Sequence, residues 1–269
     1  VIAFDLAGRG PALILVDGAL CHRAVGPNKR LAERLRQDFT VIAYDRRGRG
    51  ESGDTAPYAM AREVEDIAAL IEAAGGSAGI YGISSGGALA LEAAKSLPDE
   101  ITKVAVYEIP IVADDTRPPV PEHFPARLES LVADGKRGAA AKLFMREAVR
   151  LPAPLVAAMP FFPGWGKNKA VAHTLPYDAT VMDGLQAGRP LTPGRWNGVT
   201  VPTLVASGGK SPAWVSHGAA QLADVLPNAE HRTLDGQRHY VKPDAIAPVL
   251  TDFFTASRSA PQPEPNRTA

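Results

Sequence analysis

The chain has 269 residues, 45% of them hydrophobic, and its 29 Lys and Arg balance 29 Asp and Glu. That length suffices for one large domain with an insertion, and zero net charge gives no electrostatic reason to expect nucleic acid or an anionic membrane as partner. No apolar run is long enough to span a bilayer, and the single cysteine, Cys21, rules out an internal disulfide and fits a reducing, cytoplasmic setting.

Residues 1–6 and 12–16 read as two strands of a hairpin turned by Gly8-Arg9-Gly10-Pro11. Residues 39–44 form a buried strand. Arg46-Arg47-Gly48-Arg49 follows it and reads as a strand-end turn rather than an RNA-binding tract. Residues 60–74 are an amphipathic helix with Val64, Ile67, Leu70 and Ile71 on one face. A strand at 77–83, a helix at 85–97 and a strand at 104–107 follow. After a long break come a strand at 201–207, a helix at 216–226, a strand at 229–234 and a helix at 243–254. Alternating β and α segments predict a doubly wound, mostly parallel sheet with helices on both faces.

The alternation breaks between about residues 111 and 197, a stretch rich in proline and helix formers. A structureless loop of that length is rare, so a helical subdomain is expected, with two helices over 128–143 broken near Gly135. Such an insertion would lie over the carboxyl ends of the strands, where these sheets bind ligands. It is read as a lid over 112–196, with a dimerisation arm as the alternative. The core then comprises 1–111 and 197–257, and the polar, proline-bearing residues 258–269 form a disordered tail.

Within that order, Gly82-Ile83-Ser84-Ser85-Gly86 matches Gly-x-Ser-x-Gly between an apolar strand and an alanine-rich helix. That context defines a nucleophile elbow, in which Ser84 sits at a strained, exposed turn and its neighbours two residues away must be small. A phosphate-binding βα turn is disfavoured, because neither Gly-x-Gly-x-x-Gly nor Gly-Lys-Ser/Thr occurs at a strand end.

A serine hydroxyl needs a base. His239 follows the last predicted strand, on the same sheet edge as the elbow, and is the candidate. An oxyanion hole needs two backbone N–H groups. Ser85 supplies one, and Ala19, in the loop Asp17-Gly18-Ala19-Leu20, the other. Leu20, Phe161, Phe162, Trp165 and His173 are candidates for substrate contact, with lid-to-body packing as the alternative for the aromatic rings. Cys21 has no visible base partner and reads as a small packing residue. No metal-ligand spacing and no cofactor motif occurs.

These features together resemble the α/β-hydrolase superfamily over nearly the whole chain. Asp45-Arg46-Arg47-Gly48-Arg49-Gly50-Glu51-Ser52 is similar to its fourth-strand turn, and residues 202–208 resemble its seventh-strand entry. Most members place the catalytic acid after that seventh strand as Gly-x-x-Asp. This chain has Gly208-Gly209-Lys210-Ser211, a serine in the acid's place. The family's other acid position, at the end of its sixth strand, corresponds to Tyr107-Glu108-Ile109-Pro110. Asp-Gly in the oxyanion loop, Ser-Ser-Gly at the elbow and Glu-x-Pro after strand six also occur together in zearalenone-type lactone hydrolases. The resemblance therefore implies Glu108 as the acid, over Asp114, Asp115 and Asp244. It does not carry the substrate.

The resemblance and the motifs together imply a cofactor-independent serine hydrolase with a Ser84–His239–Glu108 triad, acting on an ester or lactone of an apolar small molecule, with a homodimer as the candidate assembly. The alternatives are a thioesterase, C–C hydrolase or cofactor-free peroxidase using the same triad, or a non-catalytic small-molecule binder on the same fold.

Overall fold

A computed structural model describes residues 1–256; the tail expected at 258–269 lies outside them. Its strands are β1 (Phe4–Gly8), β2 (Ala12–Val16), β3 (Thr40–Tyr44), β4 (Ala78–Ile83), β5 (Ile101–Tyr107), β6 (Thr203–Gly208) and β7 (Ala229–Leu234). They form one sheet in the order β1-β3-β2-β4-β5-β6-β7. Every neighbouring pair is parallel except β1 with β3.

The helices are α1 (Asn28–Leu35), α2 (Met60–Ala73), α3 (Ser85–Ser96), α4 (Phe124–Ala133), α5 (Arg137–Glu147), α6 (Ala153–Ala158), α7 (Trp165–Val171), α8 (Leu175–Val181), α9 (Ala213–Val225) and α10 (Pro243–Thr255). The sheet's two faces follow from side-chain alternation. In β2, Ile14 and Val16 join one buried cluster with residues of α2, α3 and α9, while Leu13 and Leu15 join another with α1 and α10. A strand buried on both faces reads as a continuous apolar run, which is what residues 12–16 show.

The expected hairpin between the first two strands does not form. β3 lies between them: Gly8 pairs with Thr40 on one side and Ala12 with Thr40 on the other. Gly8 and Gly10 both have positive φ and open the turn enough to admit β3. The thoroughly buried β2 takes a central place, while the solvent-exposed β1 suits an edge. Helix α1 is absent from the sequence reading, because only Leu31 and Leu35 of its apolar residues are fully buried.

The helices α4 to α8 lie between β5 and β6. The break expected near Gly135 falls between α4 and α5, where Gly135 has φ 71°. These helices share their own apolar cluster, with Phe124, Leu128, Leu143, Val171 and Leu175 buried together with Leu20 from the loop after β2. At its far end the insertion grips α3: Arg195 Nε and Trp196 Nε1 each donate to Glu92 Oε1 at 3.0 Å. No helix among the described residues is long and apolar enough to cross a membrane.

Candidate active site

The carboxyl edge of the sheet gathers four loops. Ser84 follows β4 in a turn with φ 57° and ψ −133° and is half-buried. Its N–H donates to Tyr107 O at 3.0 Å, tying the turn to β5. The turn is possible because α3 starts directly against the strands. A Cβ on Gly82 would lie 2.3 Å from Gly86 O, and one on Gly86 would lie 2.5 Å from Val16 O. Both positions therefore require glycine, as the elbow pattern predicts.

The loop after β2 lies over the serine. A Cβ on Gly18 would fall 2.9 Å from Ser84 Cβ and 3.4 Å from Ser84 Oγ. Among the described residues, neither the Ala19 N–H nor the Ser85 N–H donates to another protein group. The Ser85 amide also opens the 12-residue α3, whose N-terminal end favours negative charge.

Glu108 follows β5, is 2% exposed and has φ 47°. Its N–H donates to Ala206 O. Its carboxylate meets three partners. Oε2 lies 3.0 Å from His239 Nδ1, and Oε1 accepts from Gly208 N at 2.8 Å and from Ser211 Oγ at 2.5 Å. Burial alone would raise this carboxyl, but the hydrogen bonds from His239, Ser211 and the Gly208 amide outweigh it and hold it below its ordinary value. Ser211, which stands where an acid was expected after β6, thus supports the acid that stands after β5. The loop bearing His239 is braced by Tyr107 Oη donating to Arg238 O at 2.8 Å and Lys210 N donating to Gln237 O at 2.9 Å.

The imidazole presents Nδ1 to Glu108, which leaves Nε2 for another partner. Among the described residues no hydrogen bond joins Ser84 Oγ to this ring; such bonds are often long without substrate. Among the described residues, four non-glycine residues have positive φ: Leu20, Ser84, Glu108 and Arg150. Three of them stand in this cluster, so backbone strain concentrates where the candidate chemistry lies.

The residues expected to contact substrate are placed unevenly. Leu20 is 6% exposed, within the apolar cluster of the insertion. Trp165 packs on that cluster, its ring near Gly138. His173 is half-buried, its Nδ1 3.1 Å from Ala170 O. Phe161 and Phe162 are exposed. Cys21 behaves as a packing residue: burial pushes its thiol up to about 12, far from a reactive thiolate.

Sequence reasoning missed a buried ionic cluster beneath the site. Arg46, Arg49, Glu63 and Asp178 are each 1–2% exposed. Arg46 forms a two-bonded fork with Glu63, at 2.7 and 2.6 Å, and also donates to Asp178 Oδ1 at 2.8 Å. Arg49 donates to Asp178 Oδ2 at 2.6 Å and to Thr174 Oγ1 at 3.1 Å. Ser85 Oγ donates to Asp178 Oδ1 at 2.8 Å. Burial works against an ionised Asp178, but Arg49 and Arg46 outweigh it and hold its carboxyl below the usual range. The available signal was Arg46-Arg47-Gly48-Arg49 itself: a cation buried at a strand end must find a buried anion. That the anion is Asp178, 129 residues beyond Arg49 in α8, was not legible.

Known proteins share this fold. A crystallised alpha/beta hydrolase from Sphaerobacter thermophilus DSM 20745 is 54% identical, with a TM-score of 0.85 over 94% of this chain and 96% of that one. The enol-lactonase from Burkholderia xenovorans LB400 shares the fold, with a TM-score of 0.68 at 20% identity over 95% of this chain and 96% of its own. An uncharacterized protein of Mycobacterium tuberculosis is 28% identical over 191 residues, 68% of this chain; the match spans about half of that relative, 50% of its length. The profile described as "Alpha/beta hydrolase family" matches residues 16–249. Its fold, its elbow and this match agree: the chain belongs to the alpha/beta hydrolase family.

Proposed function

We propose that the chain is a serine hydrolase that cleaves an ester or lactone of an apolar small molecule through an acyl-enzyme. The observation that carries this reading is the convergence of four loops. A strained serine lies beneath the Gly18 loop, beside two unpaired amides, and His239 is held through Nδ1 by a buried carboxylate.

In this reading Ser84 Oγ attacks the substrate carbonyl and His239 Nε2 takes its proton. The Ala19 and Ser85 amides receive the negative charge that develops on the carbonyl oxygen. Glu108 keeps the imidazole oriented and stabilises it when protonated. As the tetrahedral adduct collapses, His239 returns the proton to the leaving alkoxide. A water molecule, deprotonated by His239, then attacks the acyl carbonyl, and Ser84 leaves with the proton. A lactone differs only in that its alcohol stays attached to the acyl group. The enol-lactonase from Burkholderia xenovorans LB400, which shares the fold, supports a lactone as a substrate class.

The insertion serves as a lid in this account, and Leu20 presents an apolar side chain between it and the core. Phe161 and Phe162 would have to turn inward to take part in binding. Ser84→Ala tests the reading: it should fold and lose about 10⁶ of its kcat on a p-nitrophenyl ester, as loss of a triad nucleophile does elsewhere. Retention of most of the activity would refute the assignment.

A further inference from the structure

We propose that Asp178, carried by the helical insertion, is a positioning residue for the oxyanion hole. It makes the hole's geometry depend on the insertion being docked. This inference rests on the reading above and extends it to a residue far from the triad in sequence.

The Gly18 carbonyl and the Ala19 N–H belong to one peptide plane. In a trans peptide these two groups point in opposite directions. The only cis peptide among the described residues is Ala56-Pro57, so the Gly18–Ala19 bond is trans. Arg49 Nη1 donates to Gly18 O at 2.6 Å, and to Cys21 O at 3.2 Å. A guanidinium on the carbonyl side fixes which way the amide side faces. It also polarises the plane, which makes the N–H a stronger donor. Arg46 Nη1 holds the preceding carbonyl, Asp17 O, at 3.3 Å. The loop therefore hangs on two buried arginines by its carbonyls and presents its amide away from them.

Those arginines are themselves held from the insertion. Among the described residues, Asp178 is the one carboxylate with an ion pair to both, at 2.8 Å to Arg46 and 2.6 Å to Arg49. Arg46 has Glu63 as a second anion, but Asp178 is the only carboxylate paired with Arg49 among the described residues. The same Asp178 oxygen that meets Arg46 accepts the Ser85 hydroxyl. Both residues whose amides would form the hole are thus tied to one carboxylate: Ser85 directly, Ala19 through Arg49. Three further contacts seat α8 and the residue before it, Thr174, on the core. The Tyr58 and Tyr177 rings stack at 4.1 Å, Tyr177 Oη donates to Asp54 at 2.8 Å, and Arg49 reaches Thr174. When α8 lifts, Arg49 loses its counter-ion and the Gly18–Ala19 plane is free to turn.

A plain structural anchor would give the same contacts, so the test must separate fold from catalysis. The fraction of competent sites is first titrated with a fluorophosphonate, and kcat is then expressed per titrated site on a p-nitrophenyl ester. Wild-type protein that is folded but takes no label refutes the serine hydrolase reading itself. With labelling established, Asp178→Asn should lower kcat per titrated site about 30- to 100-fold and leave KM within about threefold, since loss of one oxyanion donor costs on the order of 10²–10³. It should weaken a trifluoromethyl ketone, which mimics the tetrahedral adduct, by a similar factor. Arg195→Ala, which cuts a different anchor of the insertion, should lower Tm and leave kcat per titrated site within about twofold. If Asp178→Asn does not fold, Arg49→Lys decides: the ammonium keeps the charge but lacks the fork that spans Asp178 and Gly18 O, so kcat per titrated site should fall at least tenfold. Unchanged kcat per titrated site in a folded Asp178→Asn or Arg49→Lys variant overturns the proposal.

Discussion

Glu108 receives donors from three parts of the chain: the His239 ring, the Ser211 hydroxyl and the Gly208 amide. Only the first would reach the reacting atoms through His239. Glu108→Gln should therefore cut kcat by about 10³–10⁴ with little change in KM, because an amide cannot stabilise an imidazolium and favours the wrong tautomer. Ser211→Ala leaves two of the three partners in place and should cost less than about tenfold; stopped assays on an aryl ester compare the two. Asp17 makes a separate prediction. Burial, opposed by Arg49 and Arg46, pushes its carboxyl up to about 7, and its Oδ1 has no partner. A raised carboxyl favours the folded state fully only below its unfolded value of roughly 4, and that contribution is lost as pH rises through about 7. Asp17→Asn escapes the loss. Its stability relative to wild type, read from urea melts, should rise by about 2–3 kcal/mol between pH 5 and pH 8 and then level off; a difference that does not vary with pH would contradict the protonated, buried state. At this scale the sequence was legible where chemistry forces residue type. Ser84 and His239 stand where the motif and chain order put them, and Glu108 came from resemblance, because Ser211 hides the usual signal. Asp178 and the Ser85 hydroxyl were not legible, since their roles exist only once α8 meets the elbow.

The strand–turn–helix unit of β4 and α3 is the element on which the site depends. Every residue of α3 from Ser85 to Ala94 is buried, which explains its small, alanine-rich sequence. Gly86→Ala would place a methyl 2.5 Å from Val16 O and 2.6 Å from Asp17 O, both backbone atoms that cannot swing aside. It should destabilise the fold by at least about 2 kcal/mol, measured by urea unfolding, and should displace the Gly18 loop enough to slow labelling of Ser84. A fully stable, fully reactive Gly86→Ala variant would show that the close approach is not required. Periodicity located this unit, α2, α9 and α10 well, because each has a clear apolar face or run. It failed at the first strands, where the turn glycines suggested local pairing and only the sheet as a whole decides that β3 lies between β1 and β2. It also failed at α1, whose eight residues bury too few apolar side chains to mark a helix.

At the scale of the whole molecule, a mostly parallel sheet brings the loops after β2, β4, β5 and β7 to one edge, as such sheets do at their ligand sites. Helix α8 of the insertion meets the core there through buried charge, Asp178 pairing with Arg46 and Arg49. The zero net charge of the chain conceals this, because the charges that matter are buried in pairs. Removing one member of such a pair costs about 3–5 kcal/mol, since the other is left buried and alone. The central claim is that Ser84 is a nucleophile activated by His239 under the control of Glu108. The most direct measurement is mass spectrometry of the intact protein and its peptides after reaction with a fluorophosphonate. The account predicts one adduct per chain, on the peptide containing Ser84, absent from Ser84→Ala and formed orders of magnitude more slowly in Glu108→Gln. A folded protein that takes no adduct, or takes it on another residue, would contradict it.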